Sequence, residues 1–205
     1  MFTSVFLELS NQCNLAQSHK KCPANLVTKP VVLPTEIIEK TLQELSGMDF
    51  QGEICWHRYN EPLVDERLPI LIRMARELFP NNKIRILTNG LLLTPQMKEL
   101  FDKKQVFVLV SKPGLLDNRL TLYDDPVINL NQPCWGMEEL TVTCHGDVGL
   151  CCMDWKNIQT FGNLKEKSLK EIMVEERYLK ARLDLMHGHR VLEPCIRCTW
   201  NRKYT

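Results

Sequence analysis

The 205-residue sequence predicts an α/β protein whose parallel sheet is followed by a smaller hairpin-plus-helix unit. Two observations carry this. Over roughly the first 110 residues, short apolar runs alternate with helical patterns, as in strands joined by crossover helices. Beyond that stretch the alternation ceases, and turn residues, a hairpin signature and one amphipathic pattern take over.

Residues 4–9 form the first expected strand, and 10–34 the cysteine-bearing loop after it. The spacing predicts a helix over 35–46: Ile37, Ile38, Leu42 and Leu45 share a face, Pro34 precedes it and Gly47 can end it. A second strand is expected over 53–57. A helix over 65–79 carries Leu68, Leu71, Ile72, Ala75, Leu78 and Phe79 at helical spacing, and Pro80 stops it. The third strand, 83–87, ends at Thr88, Asn89 and Gly90. Thr94 caps a helix over 95–102, with Pro95 at its first position. Val106–Val110 is the fourth strand. Pro113–Gly114 and Asp125–Pro126 then mark a connection. Runs at 139–143 and 148–152 flank His145, Gly146 and Asp147 as a hairpin. Ser168 and Glu171 form a capping box for a helix over 169–186, with Leu169, Ile172, Met173, Leu179, Leu183 and Met186 as its apolar face. The expected division is 1–112, a connection over 113–133, and 134–205.

A net charge of +1, from 26 basic and 25 acidic residues, gives no polyanion-binding surface, so nucleic acid is not an expected partner. The opening MFTSVFLEL lacks a basic n-region and reads as a strand rather than a signal peptide. No apolar run approaches the ~20 residues of a membrane span. The nine cysteines are odd in number and carry no export context, which points to a reducing, cytoplasmic setting with metal-bound thiolates.

Those cysteines fall into two sets. At the C-terminal end, Cys195 and Cys198 make a CxxC, and Cys134 and Cys151 complete a four-thiolate shell. Such a shell suits [4Fe–4S] or zinc on ligand chemistry alone. Adjacent strand residues face opposite ways, so one of Cys151 and Cys152 is expected to ligate, with Cys151 preferred. Cys144 is expected to be a buried apolar residue. At the N-terminal end, Cys13 and Cys22 lie in the loop after the first strand, and His19 stands three residues before Cys22, a short bite for one metal group. The turn Tyr59, Asn60, Glu61, Pro62 closes the second strand, and Thr88 and Asn89 close the third, at the edge where α/β proteins form ligand sites. A buried glutamate there can receive an ammonium group.

In this order, strand–CNL, a Cys-Pro, strand–NEPL and strand–ILTNG resemble the radical S-adenosylmethionine (SAM) fold over about residues 4–110. The pattern C-x11-G-x4-C, with GDVGLCC, FGNLKEKSLKEI and the closing CxxC, resembles the SPASM or twitch extension over about 134–198. The resemblance implies a partial (β/α) barrel, shortened here, with a small C-terminal iron–sulfur extension. It implies two [4Fe–4S] clusters and SAM as cofactors. The first cluster carries over to Cys13 and Cys22, and its third ligand is His19 or Cys55, because glutamine and lysine replace the family's later loop cysteines. The auxiliary cluster carries over to Cys134, Cys151, Cys195 and Cys198. Tyr59, Asn60, Glu61 and Pro62 match the motif that binds the SAM amino group, with Thr88 and Asn89 beside it. The implied activity is reductive cleavage of SAM to a 5′-deoxyadenosyl radical that modifies a peptide or small natural-product precursor, with flavodoxin or ferredoxin as reductant. The competing expectation is a non-catalytic iron–sulfur or zinc protein of the same fold, serving electron transfer or partner binding.

Overall fold

The protein is described here by a computed structural model covering residues 2–18, 22–111, 122–124, 126–128 and 131–198. Strands β1 (Ser4–Leu7), β2 (Glu53–Cys55), β3 (Ile84–Thr88) and β4 (Val106–Val110) run parallel, joined by α1 (Thr35–Gly47), α2 (Leu68–Leu78) and α3 (Pro95–Lys103). Then come β5 (Glu139–Val142), β6 (Asp147–Gly149), β7 (Thr160–Asn163), α4 (Leu169–Met173) and α5 (Glu176–Met186). All seven strands belong to one sheet, in the order β4-β3-β2-β1-β5-β6-β7.

The strand pattern explains the layers. Val5, Leu7, Ile54, Trp56, Ile84 and Ile86 point to one face and pack with Ile38, Leu42, Leu45, Leu68, Leu71, Ile72 and Ala75 of α1 and α2 in a single core. Phe6, Cys55 and Arg85 lie in register across β1, β2 and β3. Alternation puts them on the opposite face.

Three expectations change. The hairpin does not stand apart from the first sheet: β5 pairs in parallel with β1, Ser4 opposite Glu139, so β1 is an interior strand shared by both halves. The β6 strand ends at Gly149, so Cys151 and Cys152 lie beyond it and strand alternation does not choose between them. The helix expected over 169–186 breaks at Val174 and Glu175. The break rotates the second half, so that Tyr178, Ala181 and Leu185 are buried while Leu179, Leu183 and Met186 are exposed. Tyr178 is held edge-on between Phe2 and Phe161. Strand β7 went unread because its four residues, Thr-Phe-Gly-Asn, carry one buried apolar side chain. Among the described residues no helix is long and apolar enough to cross a membrane.

Candidate functional site

The C-terminal ends of β1, β2 and β3 gather the first set of residues. Cys13 and Cys22 line one cleft with Tyr59, Asn60 and Glu61 from the turn after β2, and with Thr88 and Asn89 from the end of β3. The Cys13 loop is pinned to both neighbours: Glu61 N–H donates to the Gln12 carbonyl (2.8 Å) and Asn89 Nδ2 to Asn14 Oδ1 (2.7 Å). Glu61 is buried. Its Oε1 accepts from the Thr88 hydroxyl (2.6 Å) and Leu63 N–H (3.1 Å), and its Oε2 from Asn89 N–H (2.8 Å). A carboxylate oxygen has two lone-pair sites, so Oε2 keeps one for a further donor. Pro62 opens the short 3-10 turn behind Glu61 and is itself buried.

Cys13 is half-buried. Burial pushes its thiol up, Glu61 and Cys22 add to that, and Leu15 N–H opposes it. That N–H donates to Cys13 Sγ at 3.4 Å, the local geometry of a sulfur prepared to carry negative charge. His19 lies outside the described residues. Cys55 is fully buried with Glu53, Arg85 and Glu139 as its charged neighbours, burial raises its thiol strongly, and it does not line the cleft. His57 does line it. Its Nδ1 accepts from Leu87 N–H at 3.2 Å. Sequence reasoning passed over His57 as part of a strand. Its place just before the NEP turn was the available clue.

A second recess adjoins the cleft through Arg58 and Tyr59, which line both. Arg58 and Glu8 form an ion pair (3.5 Å) with side chains 2% and 5% exposed. Arg58 also donates to the Asp154 carbonyl (2.7 Å) and Asn157 Oδ1 (2.8 Å), while Glu8 accepts from the N–H groups of Tyr59 and Cys144 (both 3.2 Å). The Tyr59 hydroxyl donates to the Cys152 carbonyl. Among the described residues, Arg58 Nε and Trp155 Nε1 have no hydrogen-bond partner. Cys144, on this recess, is buried, and burial pushes its thiol up to about 12.

The second set is brought together behind β5 and β6. Cys134, Cys151, Cys152, Cys195 and Cys198 line one cavity with Gly136, Glu139 and Arg190. A Cβ at Gly136 would meet Cys151 Cβ at a tight 3.2 Å and touch Cys134 Sγ and Cys151 Sγ at 3.5 and 3.7 Å, so a larger residue there would crowd these cysteines. Met153 N–H donates to Cys151 Sγ at 3.4 Å, repeating the Cys13–Leu15 arrangement. Burial raises Cys195 to about 12 and also lifts Cys151 well above the ordinary thiol value, so these thiols stay protonated unless a metal group displaces the protons. Among the described residues no three His, Cys, Asp or Glu side chains close on a single-ion site. A single zinc needs every sulfur at about 2.3 Å, whereas a cluster is held by sulfurs spaced around a larger body. A set of soft sulfur ligands round one largely buried cavity fits an iron–sulfur cluster.

Residues 134–199 match the SPASM family, an iron–sulfur cluster-binding domain. Over 93% of its length the chain is 24% identical to S-adenosyl-L-methionine-dependent 2-deoxy-scyllo-inosamine dehydrogenase of Niallia circulans, of which it covers 89%. The fold is that of BtrN. The structure of BtrN in an open conformation superposes with a TM-score of 0.80 at 26% identity, over 97% of this chain and 92% of that one. The complex of BtrN with AdoMet and 2-DOIA gives 0.79 at 22% identity, over 96% and 92%. A structure of anSMEcpe with bound AdoMet gives 0.58 at 13% identity, over 98% and 87%.

Proposed function

We propose that this chain, a radical SAM enzyme with a C-terminal SPASM-type iron–sulfur domain, oxidises or rearranges a small hydroxylated natural-product precursor. One observation carries the reading: Cys13 and Cys22 share a single cleft with the strand-end groups Glu61, Thr88 and Asn89, and that cleft shares the wall residues Arg58 and Tyr59 with a second recess beside the C-terminal unit. A first [4Fe–4S] cluster is assigned to Cys13 and Cys22 with His19 as third ligand, and a second to Cys134, Cys151, Cys195 and Cys198. The first, when bound, supplies the electron that cleaves SAM to a hydrogen-abstracting 5′-deoxyadenosyl radical. The protein's own groups do the rest. Glu61 Oε2 retains an acceptor site for the SAM ammonium, and Thr88 and the Asn89 amide hold that carboxylate in place. His57, with Nδ1 occupied by the Leu87 amide, carries its proton on Nε2 and so acts as a donor. Tyr59 separates the cleft from the recess.

The small-molecule reading is supported by the likeness to the 2-deoxy-scyllo-inosamine dehydrogenase over nearly the whole chain, and by the recess itself. In its wall, Arg58 Nε and Trp155 Nε1 are buried donors without a partner among the described residues, which oxygens of a small polar ligand would satisfy. A flavodoxin- or ferredoxin-class reductant in the cytoplasm supplies the electron. The test is anaerobic reconstitution followed by incubation with SAM, reductant, and either 2-deoxy-scyllo-inosamine and related polyols or a cysteine-containing peptide. Iron and sulfide should each approach about eight per chain, as two [4Fe–4S] units imply, and 5′-deoxyadenosine should form faster with a polyol. Stimulation by the peptide alone overturns the substrate class. Absence of 5′-deoxyadenosine under every condition overturns the activity.

A further inference from the structure

Arg190 stands in the wall of the C-terminal cavity, 4% exposed, among Cys134, Cys151, Cys195 and Cys198. Its Nε donates to the Gln132 carbonyl at 3.1 Å, one terminal nitrogen to the Cys198 carbonyl at 3.0 Å, and the other to the Pro133 carbonyl at 3.4 Å. These carbonyls fix the direction of the fork and leave its charge without an opposite. Among the described residues no carboxylate forms an ion pair with Arg190, although ion pairs form elsewhere on this unit, at Asp184 and Glu193. The acid of this cavity, Glu139, instead accepts from Cys152 N–H at 3.5 Å. A buried cation is costly unless something negative stands beside it. The four cysteines become that negative charge only when ionised by the group they hold.

We infer that Arg190 is the charge partner of the thiolate-ligated cluster at this site and raises its reduction potential. The inference rests on the assignment of these four cysteines as ligands. One-electron reduction by an outside donor adds one negative charge to the assembly. A fixed cation in a water-poor cavity stabilises the more negative member of the couple, so the electron is accepted at a higher potential than the thiolates alone would allow. The same three hydrogen bonds also staple the CxxC turn to the segment before Cys134, so Arg190 must be tested in a way that separates charge from stapling.

The full chain carrying Cys13→Ala and Cys22→Ala, reconstituted anaerobically, leaves the C-terminal site as the reporter. Its midpoint potential is read by electron paramagnetic resonance during titration with dithionite and redox mediators, with iron and sulfide counted in the same samples. On that background Arg190→Gln should load the same iron with a midpoint displaced to more negative potential, and Arg190→Lys should stay close to the parent. Full loading of Arg190→Gln with an unchanged midpoint overturns the role of Arg190 and leaves the ligand assignment standing. Absence of iron from the parent double variant overturns the ligand assignment itself. If Arg190→Gln does not load, Arg190→Lys decides: loading at the parent's potential supports the charge, and failure to load marks Arg190 as a staple only.

Discussion

The two cysteine cradles are built on opposite plans. The N-terminal one takes Cys13 and Cys22 from a single loop, leaves both half-exposed, and opens into a cleft shared with polar strand ends. The C-terminal one draws its cysteines from three separate stretches, buries all but Cys134, and closes them round with Gly136, Leu185 and Arg190. The first plan suits a group that must meet a visiting ligand, and the second a group that stays fully ligated, the distinction that separates catalytic from structural metal sites generally. Closure also makes the second cradle part of the fold. Cys134 N–H donates to the Leu185 carbonyl at the end of α5, so the first cysteine of the set is tied directly to that helix.

Breaking the comparison at its strongest point gives the largest effect. Cys195→Ala or Cys198→Ala should unfold much of the C-terminal unit, because metal-coupled folding free energies run to about 10 kcal/mol in small metal-dependent domains. Limited proteolysis should cut between β6 and the C-terminus, and the melting transition should broaden or split. Cys13→Ala and Cys22→Ala should leave the melting temperature within a few degrees of wild type while abolishing 5′-deoxyadenosine and the SAM-sensitive paramagnetic signal, since an open site responds to SAM and a fully ligated one does not. Equal destabilisation by both pairs would erase the distinction.

Next in size is Arg58→Ala. Glu8 and Arg58 are a nearly fully buried pair, and removing one partner of such a pair costs about 3–5 kcal/mol because the other charge is left unpaired. The pair also spans the two halves: Glu8 follows β1, Arg58 follows β2, and both reach backbone of the C-terminal unit. The loss should therefore appear as one cooperative shift in chemical denaturation, with the C-terminal unit not melting separately.

The parallel half was readable because its local patterns and its packing agree. Apolar runs in the first three strands and stripes at helical spacing in α1 and α2 were buried where the pattern placed them, and strand-end residues such as Glu61 and Thr88 followed from the strands; the run at Val106–Val110 forms its strand at the sheet edge with Phe107, Leu109 and Val110 exposed. The C-terminal half was harder for physical reasons. No residue-level pattern announces that β5 will pair with β1 across 135 residues of separation, as Thr3 and Glu138 do at its start. Two non-helical residues at Val174 and Glu175 were enough to rotate α5 and turn the expected apolar face outward. His57 and Arg190 were illegible for a different reason. Each draws its character from a tertiary hydrogen bond, to the Leu87 amide in one case and to the Cys198 carbonyl in the other. The choice between His19 and Cys55 was illegible too: Cys55 is buried beside Glu53 and Arg85 and does not line the cleft, and His19 lies outside the described residues.

The smallest expected effect falls where the two cradles touch. The Tyr59 ring lines the cleft and the recess, and its hydroxyl donates to the carbonyl of Cys152, next to Cys151 of the closed cradle. Tyr59→Phe keeps the ring, the Arg58 guanidinium stacked 4.8 Å from its centre, and the volume of the wall. It removes one buried hydrogen bond and leaves a carbonyl without that partner, so the expected cost is about 1–3 kcal/mol. Denaturation midpoints measure that cost. The more telling readout is which cradle feels it. If the closed cradle is rigid in its own right, iron loading at the C-terminal cysteines stays at the wild-type level and SAM affinity weakens, because the Tyr59–Glu61 turn has lost its anchor while Cys151 has kept Met153 N–H on its sulfur. If loading at the C-terminal cysteines falls and SAM affinity is unchanged, the direction of support is reversed, and the closed cradle depends on the open one.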